Sequence, residues 1–169
     1  EAFDDARHTA LLTTAREVIV LPVRLLAAVA GLTSPPSLAM LLRHPDAAAP
    51  VDPNAASLVL DRVQDPGNVG SILRSAAAFG FHQVIALPGT AALWSAKVVR
   101  AGMGAHFALR LFEQADEAML DALCAPWIGT SSHAGERLGE VALPNPCTWV
   151  IGHEGQGMAP ALAARCARV

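Results

Sequence analysis

Short apolar runs, each cut off by Gly, Pro or Asn, alternate along residues 57–169 with segments whose apolar positions recur every three to four residues. The runs read as buried strands and the recurring segments as amphipathic helices. Strands are predicted over 57–63, 82–87, 106–111, 127–131 and 147–152, and helices over 69–79, 93–101, 114–124 and 159–166. Alternation of this kind predicts an α/β fold, a parallel sheet with helices on both faces. A further strand is expected to begin at Val169.

Residues 1–45 carry a second, smaller pattern. Glu17–Leu21 reads as a strand, Pro22 opens an apolar helix through Ala30, and Gly31 closes it in the C′ role. Ser37–Leu42 reads as another strand, so this part resembles the tail of a small α/β domain. The stretch around 46–56, with Pro50, Pro53 and a cluster of Ala, has no period and is expected to be a linker. The larger domain then occupies 57–169.

Within that domain, Asp65-Pro66-Gly67-Asn68 is strong turn chemistry between a strand and a helix. Asn68 is a candidate cap for the helix behind it. Ile72, Ala76 and Phe79 fall on one stripe, with Leu73 and Ala77 beside it, which predicts the core face. Arg74 points elsewhere, between Gly70 and Ala78 at i−4 and i+4. Because glycine is a poor helix residue, Gly70 is expected to leave room for close approach of a polar ligand.

A second glycine-rich loop, Gly152-His153-Glu154-Gly155-Gln156-Gly157-Met158, follows an apolar strand. Glu154 stands where a dinucleotide fingerprint requires glycine, and a carboxylate there would repel a pyrophosphate. A zinc-protease helix would need histidine at Gly157, and no Gly-Lys-Ser/Thr run offers a phosphate loop. What remains is a loop for close approach to a neutral or cationic ligand beside one carboxylate. Lys97 and Arg100 share a helix face, and with His106, Arg62 and Arg74 they are candidates for a local basic surface. His8, His44, His82 and His133 form no metal-ligand spacing, and the three tryptophans read as packing residues.

Composition narrows the classes. The formal net charge of −3 gives no global support for nucleic-acid binding, so any such function must rest on a local patch. All basic residues but Lys97 are arginine, the better partner for bidentate phosphate contacts. Three widely spaced cysteines without a Cys-x-x-Cys pair suit a reducing cytoplasm and argue against a zinc site. No apolar segment is long enough to span a membrane, and the acidic start does not read as a secretory signal.

Val63–Ala76 resembles the first motif of the SpoU/TrmH-type RNA ribose 2′-O-methyltransferases, of the α/β-knot (SPOUT) superfamily. Gly152–Met158 resembles their second motif, and Lys97–Phe107 a segment between the two. Residues 17–43 resemble, less closely, the end of an L30e-like RNA-binding domain. The family's third motif, a Ser-Leu-Asn segment that completes the knot, is expected beyond Val169. The resemblance implies methyl transfer from S-adenosylmethionine to a ribose 2′-hydroxyl of RNA, ribosomal RNA before transfer RNA, by a homodimer. It assigns Arg74, Asn68 and Glu154 to catalysis. Thr130, Ser131, Ser132, Gly152 and Gly157 fall to the cofactor, and Arg62, Arg74, Lys97 and Arg100 to RNA. A guanidinium stays protonated, so Arg74 is expected to clamp phosphate and stabilise charge rather than act as a base. The alternative is an RNA-binding protein that keeps the fold without catalysis.

Overall fold

The computed structural model describes residues 6–31, 34, 37–44, 50–131, 135 and 137–168. The chain divides into two units, Glu1–Asp46 and Ala47–Val169.

The first unit holds helices α1 (Ala6–Thr14) and α2 (Val23–Ala30). Pro22 precedes α2, and Gly31 ends it in the left-handed region at φ 62°, its N–H donating to Ala27 O at 3.0 Å. The α2 expectation therefore holds, whereas the strands expected at 17–21 and 37–42 do not form. Val18, Ile19 and Val20 are exposed, and no neighbouring strand among the described residues pairs with them. Strand propensity needs a hydrogen-bonded partner to become a strand, and the described residues supply none here.

The second unit is built on strands β1 (Ser57–Leu60), β2 (Gln83–Ala86), β3 (Arg110–Phe112), β4 (Trp127–Gly129) and β5 (Thr148–Ile151). All pair in parallel, in the order β3-β2-β1-β5-β4. The expected parallel α/β sheet is thus observed. Every residue of β1 and β2 is buried, as a central strand covered on both faces requires.

Side chains alternate between two cores. Leu58, Leu60, Val84 and Ala86 face helices α3 (Pro66–Ala78) and α4 (Ala96–Gly102). Val59, Ile85 and Val150 face α5 (Glu117–Asp121) and α6 (Pro160–Ala163). Beyond β4, Ala167 N–H donates to Trp127 O at 2.9 Å and Gly129 N–H to Arg168 O at 2.8 Å. Pairing at that edge therefore begins at Arg168, while Val169 lies outside the described residues.

The stretch expected as linker is not all linker. Buried Gln83 donates to Asp52 O and Ser57 Oγ, both at 2.8 Å, and accepts from Asp52 N–H at 2.9 Å. Val51 is buried as well, so residues 51–56 belong to the sheet unit. A buried amide must satisfy both its ends, and this segment satisfies them.

The core face of α3 is Val69, Gly70, Leu73 and Ala76. Phe79, expected in the core, is 82% exposed because the helix ends at Ala78 and the chain turns at left-handed Gly80. Gly70 also differs from expectation. A Cβ there would lie 2.3 Å from Ala101 Cβ and 2.9 Å from Gly102 N, so the glycine admits α4 rather than a ligand. Among the described residues no helix is long and apolar enough to cross a membrane.

Candidate active site

The carboxyl ends of β1, β5 and β4 meet beside the start of α3, where parallel sheets build their sites. Asp65 caps α3: its Oδ1 accepts from Asn68 N–H at 2.8 Å, with Pro66 in the first turn. The cap is therefore Asp65 rather than Asn68. Three residues in, Asn68 is left free to turn its side-chain amide outward.

Glu154 receives that amide. Its Oε1 accepts from Asn68 Nδ2 and from Asp65 N–H, each at 3.2 Å, and its Oε2 accepts from Gln64 N–H at 3.3 Å. Desolvation raises the carboxyl's pKa, but the loop's own N–H, Asn68 and the amides of Asp65 and Gln64 outweigh it and lower it to about 2. A fixed anion thus sits at the N-terminus of a thirteen-residue helix, which the helix dipole favours.

The glycine loop is folded tightly on itself. His153 and Gly157 exchange backbone hydrogen bonds of 3.0 and 2.9 Å, and His153 Nδ1 accepts from the N–H groups of Gly155 and Gln156. A Cβ on Gly152 would come within 2.3 Å of Gly157 C and Met158 N, so only glycine lets the loop return across the end of β5. Gly157 itself has φ 68°.

Beside it, Thr130 donates its hydroxyl to Val150 O at 3.0 Å and Ser131 is exposed. Ser132 lies outside the described residues. At Gly129 a Cβ would meet Met158 Cε at 2.5 Å and Cys166 Sγ at 3.2 Å, so two sulfur side chains pack over the end of β4.

Sequence reasoning missed Asp61. It is 3% exposed, accepts two hydrogen bonds from Arg62 at 2.8 and 3.0 Å, and a third from Ala159 N–H at 2.7 Å. Burial pushes its carboxyl up, but the Arg62 guanidinium, the Ala159 N–H and nearby His153 outweigh this and hold it below its ordinary value. An acidic residue at the end of an apolar run was the available signal. Arg62, with φ 58°, also donates to Gln156 Oε1 at 3.0 Å and Gly157 O at 3.3 Å. Its guanidinium is therefore occupied within the protein.

The basic surface is smaller than expected. Arg74, Lys97 and Arg100 are exposed on α3 and α4, which pack together, and the Arg74 side chain makes no hydrogen bond or ion pair to another described residue. Glu154 does not reach Arg74; it orders the turn before α3 instead. His106 is buried, its Nε2 2.8 Å from Leu93 O and its ring 5.0 Å from that of Trp94. It adds nothing to that surface, because packing against Trp94 and a carbonyl turned it inward.

Among the described residues no group of His, Cys, Asp and Glu is placed to hold a metal ion. A groove of about 680 Å³, lined by Phe79, His82, Asn145 and Trp149, opens at the opposite, amino ends of the strands.

Comparison with known proteins agrees with this geometry. Residues 55–169 match the SpoU rRNA Methylase family. The chain is 32% identical over 108 residues to the 23S rRNA (guanosine(2553)-2′-O)-methyltransferase RlmP of Bacillus subtilis, covering 62% of this chain and 44% of that protein. It is 57% identical over 53 residues to rRNA methyltransferase 3B, mitochondrial, of Danio rerio, covering 31% of this chain and 12% of that protein. The chain thus spans less than half the length of these relatives. Among solved structures, the SpoU methyltransferase AviRb of Streptomyces viridochromogenes in complex with AdoMet superposes with a TM-score of 0.74 at 28% identity, over 97% of this chain and 67% of that one. A TrmH-family protein of Porphyromonas gingivalis gives 0.72 at 32% identity, over 95% and 68%. With the match running over residues 55–169, the chain belongs to the SpoU rRNA methylase family.

Proposed function

We propose that the chain carries most of the catalytic domain of an RNA ribose 2′-O-methyltransferase that acts on ribosomal RNA with S-adenosylmethionine as methyl donor. The carrying observation is the Glu154 carboxylate holding Gln64, Asp65 and Asn68, which joins the glycine loop to the start of α3. Rigid juxtaposition of a donor loop and an acceptor-positioning helix is what methyl transfer needs from a protein.

The local charge suits this donor. Asp61 and Glu154 both have lowered pKa values, and the charge of Arg62 is met by Asp61, leaving the carboxylates of Glu154 and of Asp65 in the same turn in excess. A cationic sulfonium is accommodated there and a pyrophosphate is repelled. Gly152, Gly157 and the 130–132 loop would hold the group, with Met158 and Cys166 offering a soft apolar wall. When bound, S-adenosylmethionine supplies an electrophilic methyl group.

Arg74 positions the RNA. Its guanidinium would clamp the phosphate next to the target ribose and hold the 2′-hydroxyl toward the cofactor site, and the hydroxyl proton would leave through phosphate or water. Asn68 fixes the turn ahead of it, and Lys97 and Arg100 extend the phosphate track along α4. Residues 1–45 serve as the end of an RNA-binding domain, and the complete protein works as a homodimer in the cytoplasm.

Calorimetric titration of full-length protein with S-adenosylmethionine, paired with a search for alkali-resistant linkages in treated ribosomal RNA, tests this reading. Cofactor binding and new resistant linkages are expected. RNA binding without cofactor binding would replace it with a non-catalytic role.

A further inference from the structure

We propose that Asp61 and Arg62 form a positioning latch that clamps the glycine loop over the end of β1, so that Arg62 sets the geometry of the cofactor loop instead of contacting RNA. The proposal rests on the methyltransferase reading for its catalytic consequence, but its structural core stands on contacts alone.

One carboxylate, all but fully buried, joins three parts of the fold. Asp61 directly follows β1, binds the guanidinium of the next residue through two parallel hydrogen bonds, and accepts the Ala159 N–H that opens α6. From its other edge the guanidinium reaches the loop twice, at the Gln156 side chain and the Gly157 carbonyl. A planar fork with five donors can serve both sides at once; an ammonium cannot keep that geometry.

The backbone is shaped for the purpose. Arg62 adopts φ 58°, a region that residues with a Cβ enter only where surroundings over-determine it. Gly89, at φ 89°, makes room: a Cβ there would stand 3.1 Å from Arg62 Cγ. A bulky neighbour would push the arginine stem out of its seat. With its charge met by a buried anion and its donors spent on the loop, Arg62 has little to offer a phosphate.

Amide hydrogen exchange on full-length Arg62→Ala, Arg62→Lys and wild type decides the matter, together with the Michaelis constant for S-adenosylmethionine and the salt dependence of RNA binding. Arg62 is half-buried and Arg62→Ala leaves the buried Asp61 carboxylate without its guanidinium, so Arg62→Lys, which keeps the charge, carries the comparison should the alanine variant not fold. The latch predicts that Gly157 and Ala159 amides exchange at least about tenfold faster in Arg62→Ala. It also predicts that cofactor KM rises with little change in kcat, that the salt slope for RNA is unchanged, and that Arg62→Lys recovers only part of the loss. Unaltered exchange with a shallower salt slope would overturn it and make Arg62 a phosphate contact. Should wild type fail to bind S-adenosylmethionine, the functional reading falls, while the exchange comparison still decides the latch.

Discussion

The Asn68 side-chain amide donates to the Glu154 carboxylate across 3.2 Å, although 86 positions separate the two in the chain. Around that bond the turn before α3 and the loop after β5 become one body. The carboxylate serves as the common acceptor for a side chain and two backbone amides, so losing it would release all three at once.

Glu154→Gln keeps the shape and removes the charge. An amide has one acceptor oxygen where the carboxylate has two, so at least one of the Gln64 and Asp65 N–H groups loses its partner. Weaker cofactor binding, by about tenfold or more, is expected in calorimetry, with the melting temperature lowered only slightly because the site is exposed.

The pH dependence follows from the sign of two shifts. Glu154 is lowered from 4.5 to about 2, and Asp61 is lowered from 3.8. Groups with lowered pKa values in the folded state stabilise it above their unfolded values and lose that contribution as pH falls through the folded ones. The loops should therefore hold at neutral pH and loosen from about pH 4.5 downward, with Glu154 half protonated in the folded state near pH 2 and its contribution gone only below that. Amide exchange of residues 153–158 across an acid series would show it; loosening centred above pH 5 would contradict it.

Gly70→Ala tests the reading of that glycine as a helix contact. The new methyl would sit 2.3 Å from Ala101 Cβ, with backbone of α4 behind it. Overpacking of this kind costs roughly 1–3 kcal/mol, outweighing the gain of about 1 kcal/mol in helix propensity. Urea unfolding should register net destabilisation, and a neutral or stabilised variant would show that α4 can retreat freely.

Arg74→Ala separates chemistry from folding. Arg74 is exposed, so stability should stay within about 0.5 kcal/mol of wild type. Methyl transfer in the full-length enzyme should fall by at least about 100-fold with cofactor affinity unchanged, as expected for a group that acts on developing charge. Near-normal turnover would remove Arg74 from the mechanism.

Lys97→Ala and Arg100→Ala should each weaken RNA binding without touching cofactor affinity. The slope of log affinity against log salt should shrink by roughly 0.7–0.9 per lost contact. An unchanged slope in filter-binding titrations would exclude the α4 cations from the RNA surface.

Much of this was legible in the residues themselves. The apolar runs of β1 and β2 announce central strands, because a strand buried on both faces tolerates few polar side chains. The Asp-Pro-Gly-Asn turn and the glycine loop marked the two halves of the candidate site, since turn chemistry acts over a few residues and needs no distant partner. Local composition also marked α2, between Pro22 and Gly31.

What the tertiary structure alone decided were the matters of partnership. Val18–Leu21 has strand-like residues but pairs with no strand among the described residues, and nothing local could reveal that. Gly70 reads identically whether a ligand or a helix fills the space above it; the packing of α3 on α4 put Ala101 there. Asp61 and Arg62 are two adjacent charged letters until the returning loop supplies Gln156 and Gly157, some 95 positions away. Short-range preferences are written in consecutive residues, whereas the choice of which buried charge meets which donor depends on segments that only the folded sheet brings within hydrogen-bonding distance.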